Sequence, residues 1–261
     1  MGLFDAFKKK NCDICGGEIG LLGNRKLEDG NMCKACAKKL SPWFDERRHS
    51  TVAQIEEQLR YREENRAKLA SFNVTRVLGE NCCVYLDEDA GNFLVSYQGE
   101  RAWDDENPDI IPFADVTGCR IDIDEDKTEL KREDSEGNEV SYNPPRFTYD
   151  YDFNVVITVR HPYFDDISFR LNSSDVSIDN VVGGRFGAMR GFDPSNNAEY
   201  RHYKEMGDEI KEALLTVRSE ARAEAKAAAA PKAAVTCPYC GATTTPDANG
   251  CCEYCGGAVN G

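Results

Sequence analysis

Cys12-Asp13-Ile14-Cys15, separated by 17 residues from Cys33-Lys34-Ala35-Cys36, sets the terms on which this chain folds. Two Cys-x-x-Cys pairs at this distance let four thiolates turn onto one metal ion, the spacing of a zinc ribbon. Gly16-Gly17 follows the first pair, where a tight knuckle needs a backbone that tolerates positive φ. Leu21 to Leu27 reads as a small hairpin, with Glu28-Asp29-Gly30-Asn31 as a turn. About thirty residues cannot bury a useful core. Bound zinc supplies the missing stability, on the order of 10 kcal/mol for such sites.

The device returns at the far end. Cys237-Pro238-Tyr239-Cys240-Gly241 and Cys252-Glu253-Tyr254-Cys255-Gly256 are two knuckles of one form. Four thiolates close a tetrahedral site and leave no position for water or substrate, so both zinc ions are expected to be structural. Using Cys251 as a ligand would break the repeated knuckle, and it is read as a spare thiol; the alternative is a redox exchange with a neighbouring ligand. Cys82, Cys83 and Cys119 fall in expected strands without a partner at ligand spacing and read as core or face residues.

Between the two metal modules the period changes twice. Ser41-Pro42 looks like a helix start, turning Trp43 and Phe44 back onto the first ribbon. Thr51 with Gln54 forms a capping box. Val52, Ile55 and Leu59 then give one narrow apolar stripe in a charged helix, whose remaining residues, Arg62 among them, read as a solvated face. From Phe72 the alternation is that of strands. Val84 and Leu86 pair across a turn with Phe93, Val95 and Tyr97; Cys119, Ile121 and Ile123 follow, and Glu129 to Arg132 reads as a further strand. The clearest strand places Phe147, Tyr149, Tyr151, Phe153, Val155, Ile157 and Val159 on one face, with Ile167, Phe169 and Leu171 on its partner. Asn197 caps a long helix carrying Tyr203, Met206, Ile210, Leu214 and Val217, which fades through an Ala-rich spacer to Pro231.

The expected architecture is α+β. A first ribbon spans 1–44 and a connecting helix 45–71. A central antiparallel β-rich domain with a closing helix spans 72–219, an Ala-rich linker 220–233 and a second ribbon 234–261. Strands followed by one amphipathic helix, with Ile110 to Gly118 in mid-domain, resemble the bacterial pleckstrin-homology-like superfamily; a β-sandwich with a covering helix is the competing plan. The stretch from Cys12 through Phe44, carried by Cys12 to Gly17, Gly30 to Cys36 and Leu40-Ser41-Pro42, resembles a bacterial family known as domain of unknown function 4428. That resemblance implies a zinc-binding module of a bacterial cytoplasmic protein and supplies no substrate.

Charge narrows the partners. The formal net charge is −14. Residues 1–50 carry 10 Lys/Arg against 7 Asp/Glu, whereas 72–195 carry 11 against 26. The middle therefore repels nucleic acid and anionic membrane. Nucleic-acid binding is left to the first ribbon, through Lys8 to Lys10, Arg25, Lys26, Lys34, Lys38 and Lys39. No secretory leader or membrane span is visible, which with paired thiols points to the cytoplasm. Leu3, Phe4 and Phe7 read as an apolar flap on the first ribbon, with membrane contact as the alternative. Asp122, Asp124, Asp126, Thr128 and Glu133 imitate a calcium loop, but Lys127 stands where its turn glycine belongs. The Gly-rich stretch 183–191 lacks the Lys-Ser/Thr of a phosphate loop and reads as a connector, although Arg185 and Arg190 can meet a phosphate. His49, His161 and His202 are scattered and make no catalytic set. The expectation is a non-enzymatic adaptor binding protein partners, with nucleic-acid binding by the ribbons, or small-ligand or lipid-headgroup binding by the central domain, as alternatives.

Overall fold

A computed structural model describes residues 10–180, 192–229, 234–247 and 250–259. Leu3, Phe4, Phe7, Lys8, Lys9, Pro231 and the Gly-rich stretch 183–191 lie outside them. The chain divides into two compact units, 1–219 and 220–261.

In the larger unit, strands β1 (Lys10–Asn11) and β2 (Glu18–Ile19) form one two-stranded ladder; β3 (Arg25–Lys26) and β4 (Asn31–Met32) form another. Helix α1 (Lys34–Ala37) follows. Helix α2 (Val52–Leu69) starts as expected: Thr51 Oγ1 accepts the Gln54 N–H at 3.3 Å, and Gln54 Oε1 accepts the Thr51 N–H at 2.8 Å. Val52, Ile55 and Leu59 pack into a cluster with Ile19, Leu27, Met32 and Leu40. The helix thus completes the core of the metal module.

No helix starts at Ser41-Pro42. Those residues enter a turn, and the helical turn between them and α2 is a 3-10 turn at Glu46–His49. Ser41 is instead used across the fold: its hydroxyl donates to Asp109 Oδ2 at 2.7 Å. The charged face of α2 is not uniformly solvated either. Gln58, Arg62 and Asn65 are buried, and the 106–110 segment hydrogen-bonds to the last two. Arg62 Nη1 reaches Asp109 Oδ1 at 2.5 Å, Nε donates to Lys39 C=O at 3.2 Å and Nη2 to Glu106 C=O at 3.3 Å. Asn65 donates to Pro108 C=O and accepts the Ile110 N–H; Asn107 donates to Arg62 C=O. One guanidinium thus ties the metal module, α2 and the β-rich region together.

The β-rich region holds two four-stranded antiparallel sheets. The first runs β5 (Arg76–Leu78), β6 (Cys83–Asp87), β7 (Asn92–Ser96) and, beyond the short helix α3 (Trp103–Glu106), β8 (Ile111–Pro112). Its middle strands are buried on both faces rather than one. Tyr85 and Leu94 meet Leu69, Trp103 and Ile110, while Val84, Leu86, Phe93 and Val95 are buried on the other side. Tyr97 lies past the end of β7 and is exposed, and Cys82 sits in a bend before β6.

The second sheet is built on a spine. Strand β9 (Val116–Glu133) is continuous, without the break expected before Glu129, and pairs along β10 (Glu139–Val159) across the Asp134–Asn138 turn. The calcium-like residues are therefore ladder positions, not a loop. The other edge of β10 is shared end to end by β11 (Asp166–Arg170) and β12 (Val176–Asn180), the latter unforeseen in the sequence. Asn172 fills the gap between them. Its Oδ1 accepts the Phe153 N–H at 2.8 Å, and its Nδ2 donates to Tyr151 C=O at 3.1 Å and Ser174 C=O at 2.9 Å. Asn172→Ala is expected to lower unfolding free energy by about 2 kcal/mol in urea titrations, since buried backbone groups lose their partners; an unchanged midpoint would refute this role.

Helix α4 (Ala198–Ala229) begins at Asn197, whose Oδ1 accepts the Tyr200 N–H at 3.0 Å. Tyr200 and Tyr203 meet Phe153, and Ile210, Ala213, Leu214 and Val217 are buried. At Gly207 an added Cβ would lie 3.1 Å from Ile121, so the glycine admits the helix onto β9. The opposite face of this sheet is acidic: Asp124 stands across from Asp152, and Asp126 from Asp150. Asn154, Arg170, Thr148 and Ser177 hydrogen-bond or pair with carboxylates there. Among the described residues no helix is long and apolar enough to cross a membrane. In the smaller unit, β13 (Val235–Thr236) pairs with β14 (Thr243–Thr244), and Cys251 bridges Ala258.

Candidate metal centres

The sequence assigns Cys12, Cys15, Cys33 and Cys36 to one site and Cys237, Cys240, Cys252 and Cys255 to another. The structure gathers those two sets: within each, the four sulfurs lie within 4.8 Å of one another. Cys15 and Cys33 Sγ are 3.8 Å apart, Cys240 and Cys252 3.8 Å, and Cys237 and Cys255 3.6 Å. A tetrahedral zinc with bonds of about 2.3 Å needs sulfurs about 3.8 Å apart. Donor set and spacing therefore both fit zinc. Cys251 is not a member of the second set, and Cys82 and Cys119 are buried elsewhere.

Three of the four pairs are knuckles of one geometry. Gly16 N donates to Cys12 C=O, Gly241 N to Cys237 C=O and Gly256 N to Cys252 C=O. Each of these glycines has φ near +70°, at 72°, 72° and 69°. A Cβ is strained there, which explains why the residue after each second cysteine is glycine. The fourth pair differs. Cys33 caps α1, its sulfur accepting the Cys36 N–H at 3.3 Å, so this pair sits on a helical turn and Ala37 can follow it.

Backbone amides prepare the sulfurs for a cation. Burial pushes the Cys12 thiol up, but the N–H groups of Cys33, Cys15 and Ile14 outweigh it and bring it down to about 6. Burial likewise opposes ionisation of Cys252, and the N–H groups of Tyr254 and Cys255 with neighbouring thiols bring it down to about 6. Cys36 is pushed up by burial and by the thiols of Cys33, Cys15 and Cys12. In the first set Cys12 is drawn down while Cys36 is pushed up, and in the second Cys237 and Cys252 are drawn down while Cys255 is pushed up; a divalent cation removes that conflict.

Close packing reaches beyond the ligands. A Cβ on Gly30 would stand 2.6 Å from Val52 Cγ2 and 2.8 Å from Asp13 Oδ2, so the hairpin turn is wedged between knuckle and α2. On Gly257 it would stand 2.6 Å from the Tyr239 ring, which therefore lies across the second knuckle. The residues missed in the sequence are those that hold the first centre in place: Arg62, Asp109 and Ser41. Only the unusual burial of an arginine marks them, and that is not visible in a local pattern.

Residues 10–58 match the family described as Domain of unknown function (DUF4428). The match extends past Phe44 to include Val52 and Ile55, the α2 residues that complete the module core. No curated protein and no solved structure matches the chain.

Proposed function

We propose that the protein is a zinc-binding, non-enzymatic adaptor whose two metal modules present contact surfaces to protein partners in a bacterial cytoplasm. One observation carries this reading: each module joins a four-thiolate site to bare apolar side chains. Leu21 and Leu22 are 82% and 90% exposed at the tip of a Gly20–Gly23 turn, and Tyr239 and Tyr254 are 73% and 72% exposed on the paired knuckles. A closed thiolate site offers a substrate no coordination position. Large apolar groups held out by a rigid metal-bound scaffold suit interface anchors, which lose little conformational freedom on binding. Two four-stranded sheets followed by one amphipathic helix support a pleckstrin-homology-like plan for 72–219.

Affinity capture from a native lysate tests this, with the full chain beside Leu21→Asp/Leu22→Asp and Tyr239→Ser/Tyr254→Ser variants. Specific proteins are expected with the wild type and to fall away, at least tenfold, with one or both variants. An identical set from all three, or none from the wild type, would overturn the adaptor reading.

A further inference from the structure

His161 follows the end of β10 and is surrounded by rings. Its centroid is 5.1 Å from Tyr61, 5.8 Å from Tyr163 and 3.9 Å from Phe164. Burial, then Arg62 and Lys68, bring its pKa down to about 4, so the imidazole is neutral near pH 7. The Tyr163 N–H points to Nδ1 at 3.4 Å, which leaves the ring proton on Nε2. Nε2 is 2.7 Å from the Tyr61 oxygen and donates to it. With the ring proton on Nε2, the phenolic hydrogen of Tyr61 is left for another acceptor.

Tyr61 lines a cleft of about 430 Å³ between α2 and the β-rich region. Phe72, Ile110 and Pro112 give it apolar walls, and Lys68 and Arg160 bring two cations. Its two carboxylates are already engaged. Asp87 accepts the N–H groups of Ala90 and Asn73, both at 2.9 Å, and Asp115 pairs with Arg160 at 3.3 Å. Lys68 has no carboxylate partner among the described residues. The spare donors of the cleft are therefore Lys68 and the Tyr61 hydroxyl, while Arg160 is shared with Asp115 and the Ala114 carbonyl. The cleft's formal charges cancel, which suits one added negative charge better than two. The volume is that of a pocket for a small organic molecule.

We propose that this cleft binds a small organic carboxylate with a flat apolar body. The carboxylate sits on the Tyr61 hydroxyl, Lys68 and Arg160, and the body lies against Phe72, Ile110 and Pro112. This assignment is independent of the adaptor reading.

Isothermal titration of the zinc-loaded full chain with phenylacetate tests it, with 2-phenylethanol and phenyl phosphate as comparators. Phenylacetate is expected to bind saturably and more tightly than either. Tyr61→Phe keeps the ring and removes only the hydroxyl; it should weaken phenylacetate about tenfold, the worth of one hydrogen bond to a charged group. Lys68→Ala, at an exposed position that leaves the fold intact, should weaken phenylacetate and leave 2-phenylethanol unchanged. Absence of saturable binding, equal affinity for the alcohol, tighter binding of the phosphate, or affinity unmoved by both variants would each overturn the proposal.

Discussion

Native mass spectrometry of the intact protein will find two zinc ions per chain, and stripping them will cost more stability than any single side-chain change. The two ligand sets make the loss separable. Cys36→Ser should leave one ion and dismantle the N-terminal module, because Leu27, Met32 and Ile55 have no other core to join. Structural zinc contributes about 10 kcal/mol in modules of this size, more than their apolar burial supplies. The damage should spread, since α2 shares that core and carries Arg62 into the β-rich region. Calorimetry is expected to show the main transition moved down by several degrees. Cys252→Ser should also leave one ion, but its ligand set belongs to the separate unit 220–261, so the main transition should stay in place. A wild-type chain with one ion would remove one of the two centres, and a chain with none would remove both.

Replacing Arg62 by Met is the second large effect. The ion pair with Asp109 is buried at both ends, with side chains 4% and 0% exposed. Removing the guanidinium leaves a carboxylate in a dry site and strands Lys39 and Glu106 carbonyls, a loss of about 3–5 kcal/mol. Asp109→Leu alone should also destabilise, by stranding the arginine. Arg62→Met/Asp109→Leu together should recover much of the loss, because a buried pair gains little over apolar groups of similar volume. The pH dependence has a definite sign. Burial raises the Asp109 pKa, while Arg62 and Ser41 pull it back. Without Arg62 the carboxyl is raised further, so Arg62→Met is least destabilised at acid pH, where Asp109 is protonated in folded and unfolded chains alike. Its deficit against the wild type should grow as pH rises past the wild-type folded Asp109 value, itself raised by burial, because above it the wild type ionises Asp109 beside Arg62 while the variant keeps it protonated. Urea midpoints of variant and wild type between pH 4 and 8 check this; a constant gap would mean the lost interaction is not electrostatic.

What the sequence revealed and what it hid divide along the range of the cause. Cys-x-x-Cys spacing, the Thr51–Gln54 cap and the Asn197 cap are short-range devices, and each is found where its pattern stands. The run Phe147 to Val159 is legible because a period of two over thirteen residues admits one register. Strand β12 escaped because Val176 is its one fully buried residue, with Ser177 and Asp179 facing out. The join across Glu125 to Thr128 in β9 escaped because aspartates disfavour strands; 21 residues of β10 override that preference. Arg62 looked solvated because its partner, Asp109, is 47 positions away. Ser41 looked like a helix cap for the same reason: its hydroxyl is spent 68 positions downstream.

The row of facing aspartates on the β9–β10 sheet carries a further consequence for behaviour in concentrated solution. Two long strands whose outer face was apolar or merely polar would invite another sheet to stack on it. Here each approach of a second molecule brings like charges together and forces carboxylates to shed water. The repulsion costs the fold a little, as like charges opposite one another do, and in exchange it keeps that face single. Because screening shortens the reach of such fields from about 30 Å at 0.01 M salt to about 3 Å at 1 M, light scattering should show self-association rising with ionic strength. The acidity of the middle of this chain is, in that sense, an instruction about which of its surfaces stays bare.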